Sequence, residues 1–217
     1  MGSLSPIQTI AIWALPVIFA IVFHEVAHGW VADKLGDKTA RLLGRLTLNP
    51  IKHMDLFGTI IVPGILLLTG AGFLFGWAKP VPANPKNLHP KKWGIVLVAI
   101  AGPFSNLLMA FAWAGIAKLA ILMNNPDITR AISGMGFAGI QINIFLMVLN
   151  LIPIPPLDGS KVLSNILPGR MAYQYDRLER FGFLILIVLI FTNILTPFIV
   201  GPARLLINMI LMTFGLS

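Results

Sequence analysis

"FHEVAHGW", residues 23–30, closes a stretch in which no Asp, Glu, Lys or Arg occurs from Met1 to Phe23. A carboxylate and two imidazoles at the end of so apolar a run need a reason. Inside a membrane span each ionisable group costs roughly 2.5–3.5 kcal/mol even on the lenient insertion scale, and such groups mark function by default. Lys or Arg would be the ordinary side chain for reaching the interface; a His-Glu-His set is not. The surrounding composition puts these residues in a membrane. Hydrophobic residues make up 57% of the 217 and charged residues only 11%, against about a quarter in soluble domains. That imbalance excludes a globular core with a wetted surface and predicts an all-α polytopic membrane protein with the lipid bilayer as its partner.

The apolar runs set the organisation. The first covers residues 7–31, with Pro16 an expected kink. A polar, basic loop follows over 32–55, then a Gly- and Pro-rich apolar run over 56–77. Next comes "AKPVPANPKNLHPKKW", whose four prolines within eleven residues forbid a helix and favour extended backbone. Residues 94–123 and 134–151 are long enough to span, the latter ending at "NLIPIPPLDG". Residues 160–180 read as one or two short interfacial helices, 181–200 as the last span, and the apolar tail 202–217 as interfacial or dipping into the membrane. The expectation is four to six transmembrane helices, with a re-entrant or extended segment between the first two. The apolar start lacks a basic n-region and a small-residue cleavage site, so it reads as a retained span. The whole, 1–217, reads as one membrane-embedded domain.

Charge counting bears on whether 56–77 crosses. If it dips in and returns, Lys34, Lys38, Arg41, Arg45, Lys52, Lys79, Lys86, Lys91, Lys92, Lys161, Arg170, Arg177 and Arg180 share one side, against Lys118, Arg130 and Arg204, 13 to 3. A full crossing makes the sides 8 and 8. Cytoplasmic loops carry an excess of Lys and Arg, which favours re-entrance. The formal charge of +8 lies in those short loops and faces anionic headgroups. Nothing interleaves aromatic with basic residues as a nucleic-acid face would, so no nucleic-acid partner is expected.

His24 and His28, four apart, stand on one helical face and can grip one metal ion, with Glu25 in reach of a metal-activated water. This is the HExxH pattern of zinc peptidases. With no Cys in the chain, a third ligand must be His or carboxylate, since catalytic zinc sites usually have three protein ligands. The candidates are Asp158, His53, Asp55 and His89. Asp158 follows a span and sits in a Pro-rigid turn; its ordinary role there would be a helix N-cap. The re-entrant topology brings it to the same side as the His pair. His53 and Asp55 lie on that side too, in a loop where solvated polar residues need no special role.

"FHEVAHGW", "GWAKPVPANP", "AGPFSN" and "NLIPIPPLDG" together resemble the site-2 protease family of intramembrane zinc metalloproteases, closest to short prokaryotic members without PDZ or CBS domains. The resemblance runs from about Phe23 to Gly159. It implies one zinc per chain held by His24, His28 and Asp158, Glu25 as catalytic base, and a catalytic core over about 7–160 followed by C-terminal helices. It implies hydrolysis within or near transmembrane segments of single-span substrates, in the cell membrane, with the site toward the cytoplasm. Asn150 would contact substrate, an interhelical hydrogen bond being its alternative role, and the extended segment near 78–85 would hold an opened substrate strand. Asn106 is expected to satisfy backbone at the Gly-Pro break. The residues leave two other readings: a membrane-bound metallopeptidase cutting outside the bilayer, and a transporter using the His/Glu/Asp cluster as an ion path. No inverted repeat supports the latter.

Overall fold

The computed structural model describes residues 5–62, 65, 76, 78–123 and 125–216. Among these there is no strand, and four helices are long and apolar enough to cross a membrane. Helix α1, Pro6–Lys34, opens with a Ser5–Gln8 capping box and runs through Pro16 without interruption. Its far end carries a Lys34 ammonium over the Trp30 ring at 5.5 Å, a pairing suited to the headgroup level. The loop beyond holds a one-turn helix α2, Thr39–Leu42, and a 3-10 turn at Pro50–His53. The run at 56–77 begins as a π-helical segment, Leu56–Ile61; the rest of the expected re-entrant stretch lies almost wholly outside the described residues.

Two long helices form the centre: α3, Lys91–Leu122, and α4, Pro126–Leu151. Water cannot drive their association inside lipid, so close backbone approach has to. A Cβ on Gly139 of α4 would lie 2.2 Å from the Trp113 ring of α3, a space only glycine leaves. Ala110, Trp113 and Ala114 pack on Ile140, Ile144, Met147 and Val148 to make the core.

The C-terminal part departs from expectation. Residues 160–180 do form two short helices, α5 (Asp158–Ile166) and α6 (Gly169–Asp176). The run 181–200 is not one span. It breaks between α7, Glu179–Phe191, and α8, Thr196–Phe214, where Asn193 takes a left-handed φ of 57°, a conformation Asn tolerates better than most residues. At 13 residues, α7 reaches only about 20 Å, short of the roughly 30 Å hydrocarbon thickness. It packs instead on the Pro-rich turn, with Leu157, Leu186 and Leu195 in one cluster. The supposed tail is the greater part of α8, which is long enough to cross. Ala203 and Ile210 seat α8 on the α3–α4 core, and Lys118 donates to Gly215 O (3.3 Å) at the other end of the bundle.

Over residues 78–90 the proline-rich chain forms no α-helix, as expected, but it is not extended throughout: a 3-10 turn at Pro85–Asn87 interrupts it, and no β pairing occurs among the described residues. Side chains from the α1 end strap it down. Arg45 donates to Lys79 O (2.8 Å) and Pro80 O (3.3 Å), and Lys79 N donates to His53 O (2.9 Å). The buried Asp37 carboxylate accepts from Thr39, Asn84 N and Asn87. Burial pushes the Asp37 carboxyl up, but these hydrogen bonds outweigh it and leave its pKa below the ordinary value.

Candidate metal centre

The HExxH residues sit on α1 well below its basic end. His24 is six residues before Trp30 and ten before Lys34, which places it about 9–15 Å deeper along the helix axis. Facing it, α3 presents Val98, Gly102 and Asn106, four apart and therefore on one face. The two imidazoles lie against that face. His24 Nδ1 meets Asn106 Oδ1 at 2.6 Å, and His28 Nδ1 meets Val98 O at 2.6 Å. Between these anchors Gly102 leaves room for the rings: a Cβ there would stand 2.4 Å from His28 Nε2 and 2.6 Å from His24 Cε1.

The third member comes from the turn after α4. "NLIPIPPLDG" ends α4 at Leu151, and α5 starts at Asp158. The buried Asp158 side chain reaches the histidines. His24 Nε2, His28 Nε2 and Asp158 Oδ2 are each 3.1 Å from the other two. Lys161 Nζ approaches the other carboxylate oxygen at 3.8 Å.

Hydrogen-bond polarity shows what this triangle accepts. A backbone carbonyl can only accept, so His28 Nδ1 carries the proton; Asn106 Oδ1 imposes the same on His24. Both neutral rings then turn Nε2 lone pairs toward a carboxylate oxygen that has no hydrogen-bond donor. Three lone pairs converging in a buried place repel one another unless a positive centre joins them. The donor set, two imidazoles and a carboxylate without thiolate, is of a kind used by catalytic zinc. Donor atoms about 2.0–2.1 Å from a tetrahedral ion stand about 3.3 Å apart, close to the observed 3.1 Å. The residues fit zinc.

Glu25, next to His24, is half-buried, and its Oε2 accepts from Val81 N at 2.8 Å. The rival ligands go elsewhere. His53 is buried with Nε2 on Thr47 O (2.8 Å), and Asp55 caps the π-helical segment through Phe57 N and Gly58 N. The His89 backbone N–H donates to Leu35 O. Among the described residues, His24, His28 and Asp158 form the one metal-holding group of this kind. Asn150 donates back to Leu146 O in its own helix (3.0 Å), and among the described residues it makes no interhelical hydrogen bond. The expectation for Asn106 is corrected. It holds His24 and donates to Ala20 O of α1 and to Asn143 of α4, rather than capping the break at Pro103. Gly102 and Val98 escaped notice from the sequence, although their spacing of four from Asn106 was legible in "VAIAGPFSN".

Comparison with known proteins agrees with this geometry. Residues 114–192 match the model of peptidase family M50. Relatives named "Putative zinc metalloprotease" include YwhC of Bacillus subtilis, 37% identical over 190 residues, covering 86% of this chain and 83% of the relative. Rip2 of Mycolicibacterium smegmatis is 27% identical over 88% of this chain and 71% of its own. MJ0611 of Methanocaldococcus jannaschii is 30% identical over 66% and 64%. No solved structure matches.

Proposed function

The chain belongs to peptidase family M50 and is a multi-pass zinc metalloprotease; from that premise we propose that it cuts single-span membrane proteins within or near their transmembrane segments. The observation that carries the proposal is the depth of the metal centre. It lies about 9–15 Å along α1 from Trp30 and Lys34, which falls within a hydrocarbon layer about 30 Å thick when those two side chains mark the headgroup level. His24, His28 and Asp158 would hold the zinc, and Glu25 would be the catalytic base. When bound, zinc supplies Lewis-acid polarisation of the scissile carbonyl and acidifies water. Glu25 takes a proton from the attacking water and returns it to the leaving amine nitrogen. Glu25 adjoins His24 on α1, and the Val81 N–H fixes its carboxylate. The anchors Val98 O and Asn106 keep both imidazoles in the tautomer that offers Nε2.

The basic residues around the α1 and α3 ends support a cytoplasmic orientation in the cell membrane. The extended segment near 78–85 is the candidate surface for an unwound substrate strand. Val81 N–H is already engaged, and Pro80, Pro82 and Pro85 have no donor, so few of its positions could pair. The test is cleavage of a single-span substrate in proteoliposomes, with the cut mapped by mass spectrometry. A cut inside the span, abolished by Glu25→Gln with zinc retained, is expected. A cut confined to a soluble loop overturns the intramembrane reading.

A further inference from the structure

We propose that Asn143, which touches no metal-binding side chain, acts through Asn106 as a positioning residue that sets the tautomer and aim of His24. The inference rests on the reading of His24 as a zinc ligand. Its argument is one of forced polarity. Gly139 O can only accept, so the Asn143 atom 2.8 Å from it is Nδ2. That turns Asn143 Oδ1 toward Asn106, which must present Nδ2 to it, at 2.9 Å. The second proton of the Asn106 amide goes to Ala20 O at 3.0 Å, again a pure acceptor. With both its donors committed, Asn106 has only Oδ1 left for His24 Nδ1, at 2.6 Å. His24 therefore carries its proton on Nδ1 and directs the Nε2 lone pair at His28 and Asp158.

Both asparagines are fully buried, 0% exposed, so no solvent can substitute for a missing member. The relay begins at a carbonyl of α4, crosses α3 and ends on α1, tying three membrane helices to one ring orientation. His28 needs no such device because Val98 O is backbone. Disturbing the relay should therefore weaken one ligand and leave the other. A purely structural pair gluing helices together would affect thermal stability without a selective effect on metal.

The test compares purified wild type with Asn143→Leu, Asn143→Asp, Ile144→Ala and His24→Ala. Zinc affinity is read by chelator competition, the visible spectrum of the cobalt-substituted protein reports ligand geometry, and thermal midpoints report the fold. Asn143→Leu should weaken zinc about 10–100-fold, the usual effect of losing a partner of a ligating histidine, and should change the cobalt spectrum. Asn143→Asp, uncharged in so apolar a place, can donate to Gly139 O and accept from Asn106; it should stay within a few-fold of wild type, and it serves where the Leu variant fails to fold. Ile144→Ala, which opens the neighbouring core without touching the relay, should lower the midpoint and leave zinc affinity unchanged. Wild-type affinity and spectrum in Asn143→Leu, an Asp variant that loses zinc while folded, or equal zinc loss in Ile144→Ala would each overturn the inference. Zinc retained in His24→Ala would instead overturn the ligand assignment beneath it.

Discussion

Gly102→Ala asks whether the close approach of α1 and α3 makes the metal centre. The new methyl carbon would stand 2.4 Å from His28 Nε2 and 2.6 Å from His24 Cε1, where unstrained contacts begin at about 3.5 Å. Relief needs a movement of about 1 Å. The rings cannot simply swing aside, because Val98 O and Asn106, on the same face of α3, hold their Nδ1 atoms. Metal–ligand distances tolerate about 0.2 Å, so a displacement of this size removes at least one imidazole from any common ion. Fold stability should change far less. Overpacking costs about 1–3 kcal/mol, and replacing a helical glycine by alanine returns up to about 1 kcal/mol. The expected result is a folded, membrane-inserted protein whose zinc affinity drops by more than about 10-fold and whose cleavage is lost. Zinc per chain at buffered free zinc, with thermal melting in detergent as the control, measures both quantities. A Gly102→Ala protein that binds zinc and cuts like wild type would refute the packing argument.

Asp158→Ala should lower zinc occupancy while His53→Ala leaves it unchanged, measured by elemental analysis; the reverse would move the third ligand to the loop after α2. Asp37, whose pKa is lowered on folding, should stabilise the fold fully above its unfolded value of about 4. That stabilisation should fade as pH falls through the lower folded value, so melting midpoints between pH 5 and 3 should drop more steeply in wild type than in Asp37→Ala. Equal slopes would remove Asp37 from the account. Since the chain has no Cys, a single Lys38→Cys substitution can be labelled without background. In intact cells it should react only with membrane-permeant reagents, and labelling by an impermeant maleimide would reverse the proposed orientation.

Much of this protein could be read along the chain, for reasons of range. The membrane class follows from the shortage of charge, and the two imidazoles with their neighbouring carboxylate lie within one helical turn and a residue, so α1 alone aligns them. The exclusion of an α-helix over the prolines near 80–90 is likewise local, because each ring restricts its own residue and the one before; the 3-10 turn at Pro85–Asn87 was not foreseen. The break at Asn193 was not legible, because an apolar run of twenty residues satisfies lipid as one helix or as two packed pieces. Packing against the Pro-rich turn selects the second. Asp158, His53, Asp55 and His89 were all chemically eligible to join the histidines, and charge asymmetry could only rank them. Which oxygen arrives 3.1 Å from two imidazoles, which glycine admits the rings and which asparagines aim them depend on where α1, α3 and α4 cross. A helix fixes its own face through hydrogen bonds within four residues; the meeting of three faces depends on complementary surfaces far apart in the chain, and only the folded bundle decides it.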